Sequence, residues 1–205
     1  MRSHASLGVA LIAGLLTAAL VGCGTSPPAP AKPTGGPPLP LASPTLPTTA
    51  HVGAGCGFIP VHGIGSFEAM AKQRAFTAAT RHAQLSAFNS AIRAAGLSVE
   101  LNRMRSFTLF IPVNGAFAAL SRTELNFLRN PSNLAEVVRH QVVLHSVTPA
   151  QIAHGGTVTT LSGDKLALGR HGHAYRVSRA TVLCGNIKTA NGTLYVINKV
   201  LLPPK

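Results

Sequence analysis

The sequence predicts an α+β fold, with helices first and strands later. Three observations carry that expectation. Between residues 66 and 140, apolar residues recur at helical spacing, and capping residues stand where the segments begin. From Thr157 onward, short runs of β-branched and apolar residues are separated by Gly, Asn and Asp turns. The two patterns do not alternate, which argues against a βαβ arrangement.

Taken in order, residues 66 to about 82 are alanine-rich and read as helix. Leu85, Phe88 and Ile92 follow at helical spacing, and Gly96 suits the C-cap, where glycine takes a left-handed backbone at no steric cost. Residues 107–111, "FTLFI", read as a strand. Asn114 stands where it would cap the short helix "GAFAAL". Ser121 and Glu124 form a capping box opening a helix through Arg129. Leu134, Val137 and Val138 mark one more helix face, leading into a strand expected over residues 142–147. Thr148-Pro149 starts a helical turn with proline at its first position. The strands "TVTTL", "KLALG", "AYRV", "TVL" and "TLYVINKVLL" follow, with turns at Ser162-Gly-Asp164, His171-Gly-His173 and Ala190-Asn-Gly192. Phe110 and Phe117 are expected in the core.

What precedes the domain reads differently. Arg2 supplies a positive charge, and residues 5–20 are nearly unbroken apolar sequence, the build of a secretory signal peptide. A transmembrane helix is the competing reading, but it needs about 20 apolar residues and this run is somewhat shorter. The run ends in Leu20-Val21-Gly22-Cys23, which resembles a bacterial lipobox. Residues 1–22 are then a lipoprotein signal peptide, and the Cys23 thiol is the lipid acceptor at the new N-terminus. No Arg-Arg pair precedes the apolar run, which favours the general secretory route. The expected location is the extracytoplasmic face of the cell membrane, held by the anchor at Cys23, with a shed or secreted form also open.

Residues 24–50 carry nine of the fifteen prolines, with Ser, Thr, Gly and Ala between them and Lys32 as their only charge. Such a segment cannot bury enough apolar surface to offset its ordering entropy. It reads as a disordered, Pro-rich tether with polyproline character, reaching at most about 80 Å at about 3.1 Å per residue. Its Ser/Thr/Pro stretch at residues 43–49 suits O-linked sugars or a plain linker equally. Residues 51–205 remain for one domain, with its core over about 66–204, enough for a substantial hydrophobic interior.

The formal net charge is +13, and loss of Arg2 with the leader leaves +12. The arginines are scattered and do not interleave with aromatics as in a nucleic-acid-binding sheet. No nucleic-acid partner is expected. An exported basic protein meets phospholipid head groups, wall polymers, acidic glycans or acidic protein faces, unless the charge merely solubilises the surface. Arg170, Arg176 and Arg179 cluster around the His171-Gly-His173 turn and are the candidate ligand-binding residues. Side chains alternate along a strand, so Arg176 points away from Tyr175 and Val177.

Lipidation consumes Cys23, which leaves Cys56 and Cys184. An even pair in an oxidising compartment defaults to a disulfide. Closing so long a loop stabilises by on the order of 5 kcal/mol in the chain-entropy account, less any strain. Two thiols without further Cys neighbours do not make a structural zinc site. His171 and His173 share a turn, and His145 and His154 flank a helical turn, but the reading is solvated turns and no metal or cofactor.

Catalysis finds little support. The carboxylates are Glu68, Glu100, Glu124, Glu136 and Asp164, and no pair stands out for glycoside hydrolysis. There is no Gly-x-Ser-x-Gly elbow and no His-Glu-x-x-His. A Ser-His-Asp triad would have to draw on Asp164, which sits in a turn. No catalytic residue is assigned.

Two segments carry a resemblance. "FTLFIPVNGAFAAL" at residues 107–120 resembles the first signature of the fasciclin domain, and "GTLYVINKVLLPP" at residues 192–204 its second. With the lipobox, the tether, "GAGCG" and "LCGNIKTANGTLYVI", the chain is similar to the mycobacterial secreted and surface lipoprotein antigens with one fasciclin domain. The resemblance implies a wedge of β-strands flanked by helices and a disulfide at positions corresponding to Cys56 and Cys184. It implies a non-catalytic adhesion or protein-binding module. A wall-associated structural or anionic-glycan-binding lipoprotein is the alternative, and an unrecognised hydrolase a third reading. The sequence departs from the family at two places. The family's Tyr-His dipeptide falls on His140-Gln141, and an Asp of its second signature falls on Asn198.

Overall fold

The structure, a computed structural model, describes residues 50–204. The apolar leader, Cys23 and the tether up to residue 49 lie outside the described residues.

The helical half begins with α1 (Phe67–Ala71) and α2 (Ala75–Ala79). Ser66 caps α1 by accepting from the Ala69 N–H at 3.2 Å. The single helix expected over residues 66–82 is therefore two. The break between them is held from outside: the Gln73 carbonyl accepts from Ala190 N–H at 2.8 Å, and Ala75 N–H donates to Asn191 Oδ1 at 2.8 Å. Then come α3 (Ser86–Ala94), which buries Phe88, Ala91 and Ile92, and α4 (Ser98–Arg103), which the sequence reading did not include. Gly96, at φ +72°, ends α3, with Leu97 N–H bonded back to Ile92 O at 3.1 Å.

The remaining helices are α5 (Asn114–Ala118), α6 (Arg122–Leu128), α7 (Pro131–His140) and α8 (Pro149–His154). Ser121 and Glu124 form the capping box of α6, and Thr148 and Gln151 form one on α8. Asn114 does not cap its own helix. Its Oδ1 accepts from Ala87 N–H at 2.9 Å and its Nδ2 donates to Ala83 O at 2.9 Å, so it serves the start of α3 instead. Phe117 is only partly buried, against Phe88 at 6.3 Å between ring centroids, while its neighbour Ala116 is buried.

Seven strands form one mixed sheet: β1 (Phe107–Pro112), β2 (Val142–Val143), β3 (Gly156–Thr159), β4 (Lys165–His171), β5 (Ala174–Val177), β6 (Ala180–Lys188) and β7 (Gly192–Ile197). Their order is β2-β1-β7-β6-β5-β4-β3, with β1 parallel to β7 and the other neighbours antiparallel. The two ends approach each other. Val143 bridges Thr160, and Leu161 N–H donates to Val142 O at 2.7 Å, giving a nearly closed barrel. The strand expected over residues 142–147 stops at Val143. Beyond it the Thr108 hydroxyl takes over, donating to His145 O at 2.8 Å and accepting from Val147 N–H at 2.7 Å.

Strand alternation sorts the core into two clusters. Phe107, Leu109 and Ile111 face the helices and meet Phe88, Ile92 and Leu101. Phe110 faces the barrel interior with Tyr195, Val143, Ile152, Leu166 and Val177. Each such side chain contributes about 1.5–3 kcal/mol by leaving water. The buried Tyr195 hydroxyl donates to Val147 O at 2.9 Å.

The N-terminal segment is stitched to β6. Val52 pairs with Gly185, and Cys56 is joined to Cys184 in a disulfide across a sequence separation of 128. Gly53 has φ +107°, and a Cβ there would lie 2.3 Å from Leu183 O, so both backbone and space require glycine.

Candidate functional site

A groove of about 640 Å³ lies at the end of the sheet where β1 and β7 begin. Lys72 and Arg74 reach it from the α1–α2 break, Arg105 and Ser106 from the approach to β1, and Ser146 from the loop after β2. Lys188 through Thr193, the β6–β7 turn, supplies the rest. Four cations line it and no carboxylate does. Glu68 sits beside it and holds Lys72 at 2.7 Å. Among the described residues, Arg74, Arg105 and Lys188 make no ion pair with a carboxylate.

Asn191 sets this geometry. It is buried, and all of its polar side-chain atoms are used. Its Oδ1 accepts from Ala75 N–H at 2.8 Å. Its Nδ2 donates to Leu101 O at 3.1 Å and Met104 O at 3.0 Å. Ala75 adjoins Arg74, and Met104 adjoins Arg105, so one amide fixes the backbones that carry both arginines. Arg74 adds its own bond from Nη1 to Asn102 O. Lys188 is half-buried. Its Nζ donates to Thr193 Oγ1 at 3.4 Å, and burial pushes its pKa down. Thr193 Oγ1 also meets Ser146 Oγ at 3.1 Å. The groove therefore presents cations on fixed backbone together with hydroxyls, a surface complementary to oxyanions.

The arginines singled out in the sequence do not form one face. Arg170 pairs across the sheet with Tyr175, so the two share a face, and the guanidinium lies 5.2 Å from the ring centroid. Arg176 follows Tyr175 and takes the opposite face. It is half-buried, and its Nη2 donates to Arg179 O at 3.3 Å. The exposed residues His171 and His173 sit at the tip of the same hairpin.

His140, Ser162 and Asp164 do come together, at the seam where the barrel nearly closes. His140 Nδ1 lies 3.2 Å from both Ser162 Oγ and Asp164 Oδ2, and Ser162 Oγ donates to Asp164 Oδ2 at 3.0 Å. A nucleophilic triad needs serine and aspartate on opposite imidazole nitrogens. Here both use Nδ1, and the imidazole is buried. Burial lowers its pKa, against the opposing pull of Asp164. Burial thus favours the neutral imidazole, and the cluster joins α7 to the turn between β3 and β4. Next to it, Gln141 Nε2 donates to Leu201 O at 2.6 Å and Gln141 Oε1 accepts from Leu201 N–H at 3.3 Å, tying the C-terminal segment to α7. Asn198 Oδ1 accepts from Thr181 N–H at 2.8 Å. The two departures from the family's residues thus fall in structural hydrogen bonds. Among the described residues, no group of three or more His, Cys, Asp or Glu is placed to hold a metal ion, and no helix is long and apolar enough to cross a membrane.

A nearly closed mixed sheet with helices stacked against one face defines an α+β module present here in a single copy. The chain belongs to the Fasciclin domain family, whose match covers residues 83–203. It is 30% identical over 162 residues to the immunogenic protein MPB70 of Mycobacterium bovis, covering 75% of this chain and 82% of that protein. It is 30% identical over 213 residues to the cell surface glycolipoprotein MPB83 of the same species, covering 98% of this chain and 94% of that protein. The structure of a FAS1 domain pair from the insect cell adhesion molecule Fasciclin I shares the fold. There the TM-score is 0.53 at 14% identity, over 66% of this chain and 52% of that one. The family match begins after α1, α2 and Cys56, yet all three belong to the same core as α3.

Proposed function

We propose that this chain is a lipid-anchored cell-surface protein whose fasciclin domain, residues 51–205, acts as a non-catalytic adhesion or protein-binding module. The observation that carries the reading is the extent of the likeness to the cell surface glycolipoprotein, which spans 98% of this chain and so takes in leader and tether as well as domain. The lipobox Leu20-Val21-Gly22-Cys23 supplies the anchor, and the Pro-rich segment after it holds the domain off the membrane. The domain's partner is an extracellular protein or an anionic wall or matrix polymer. No cofactor enters this reading.

Cell fractionation tests the anchor. The wild-type chain is expected in the membrane fraction, with the mass of an acylated Cys23. Cys23→Ala is expected to stay unprocessed or to leave that fraction. Unchanged mass and unchanged partition in the variant would overturn the anchoring.

A further inference from the structure

We propose that the groove framed by Lys72, Arg74, Arg105 and Lys188 binds a phosphate ester carried on a sugar or polyol. The inference rests on reading the domain as a binding module and adds a site and a ligand chemistry to it.

Charge selects the ligand. Glu68 compensates Lys72, and Arg74, Arg105 and Lys188 remain without carboxylate partners among the described residues. A carboxylate brings one negative charge. A phosphate monoester brings about 1.5 to 2 at neutral pH, with three strong acceptor oxygens. Two of the uncompensated cations are arginines, whose planar fork matches phosphate oxygens two at a time. Size points the same way. A groove of about 640 Å³ exceeds what a lone phosphate fills and has room for the ring that carries one. The walls are polar, with Ser106, Ser146 and Thr189 beside the cations, so a hydroxylated carrier finds partners where an apolar one would not.

The backbone part of the cost of ordering the site is met in advance. Asn191 fixes the backbone beside Arg74 and Arg105 whether or not ligand is bound. Lys188 is half-buried with its pKa pushed down, and a bound anion would restore the favourable surroundings its ammonium group lacks. The four cations come from three segments far apart in sequence, yet one groove collects them and excludes carboxylates from its lining. Charge that only solubilises would not need that arrangement.

The test is titration calorimetry on the full-length chain in a neutral detergent, with every variant first checked for wild-type circular dichroism. Glucose 6-phosphate, glucose, glucuronate and inorganic phosphate are the soluble probes, and phosphatidylinositol 4-phosphate, whose head group carries a phosphate monoester on a polyol ring, is mixed into the detergent as the lipid probe. Glucose 6-phosphate is expected to bind and glucose not to. Arg105→Gln and Lys188→Gln should each weaken binding about tenfold or more, the loss of one charged hydrogen-bonding partner. Arg103→Gln removes the same charge two positions away, outside the groove, and should leave affinity unchanged. Binding of phosphatidylinositol 4-phosphate alone, lost in the same two variants, would support the site and assign the ester to a lipid head group. Three results would overturn the proposal: no phosphate ester binds, glucuronate binds as well as glucose 6-phosphate, or Arg103→Gln weakens binding as much as Arg105→Gln. None of them bears on the anchor, which fractionation of Cys23→Ala decides separately.

Discussion

The side-chain amide of Asn191 donates to the backbone carbonyl of Met104 at 3.0 Å, across 87 residues of sequence. The same side chain accepts from Ala75 N–H at 2.8 Å. A turn residue between two strands thereby sets where a helix starts and where the approach to β1 runs. Asn191→Ala would leave one buried N–H and several carbonyls without partners. We expect a loss of about 2–4 kcal/mol, since each unmet buried group costs about 1–3 kcal/mol. Asn191→Asp keeps the acceptor for Ala75 but loses the donor, and should also destabilise. Urea midpoints measure both, and a midpoint equal to wild type in the alanine variant would contradict the keystone role.

The Cys56–Cys184 link closes the chain over a separation of 128, fastening the N-terminal segment to β6. The denatured, unreduced domain is expected to show no reactive thiol at either position. The double variant Cys56→Ser/Cys184→Ser should lose about 3–5 kcal/mol, chiefly because its unfolded chain is freer. Thiol titration and denaturation of the double variant check the two statements independently.

Inside the barrel, Phe110 packs against Tyr195 at 5.6 Å between ring centroids, and both are fully buried. Phe110→Ala should cost about 3–5 kcal/mol through lost burial and the cavity left behind. Gly185 lies against the same tyrosine. A Cβ there would come within 2.3 Å of Tyr195 Cδ1, and the ring cannot retreat because its hydroxyl is held by Val147 O at 2.9 Å. Gly185→Ala is expected to cost about 1–3 kcal/mol by overpacking. Thermal denaturation of the two variants, with Phe117→Ala as the milder comparison at a half-exposed ring, checks the assignment of faces.

Local signals in the sequence were legible because they concern residues three or four apart. The box of Ser121 with Glu124, the proline opening α8 and the glycine closing α3 all stand as read. Asn114 shows where local reading ends. It has the right chemistry for a cap, and the fold spends that chemistry on a helix 27 residues away. The groove was out of reach for the same reason. Residues 72, 74, 105 and 188 have no common spacing, and only the closure of β1 onto β7 gathers them. The arginines near residue 175 show a different limit. Alternation correctly parts Arg176 from Tyr175, but the register that sets Arg170 opposite Tyr175 depends on how the hairpin turns, and it sends the two arginines to opposite faces.

Mild acid should weaken the fold through its histidines. His82 and His140 are buried, and for both, burial is the main reason the pKa lies below its ordinary value. A backbone contact with Gly65 opposes the shift at His82, and Asp164 opposes it at His140, without reversing either. His51, stacked on Phe67 at 3.5 Å between ring centroids, shifts the same way through burial and the charge of Lys188. A group whose folded pKa is depressed binds fewer protons in the native state than in the unfolded chain. For these three histidines the stabilising effect is therefore complete above the unfolded value of about 6.5 and is lost as pH falls through the folded values. Glu68 is also lowered, by its bond to Lys72, but it is exposed and acts only further down, in the carboxylate range. The urea midpoint is thus expected to fall between about pH 7.5 and about pH 5.5, the window in which imidazoles titrate. His140→Gln should flatten that slope, whatever it does to the midpoint at pH 7.5, because one of the contributing groups no longer titrates. A midpoint that instead rises on acidification would mean that the attraction between His140 and Asp164 outweighs burial at the barrel seam.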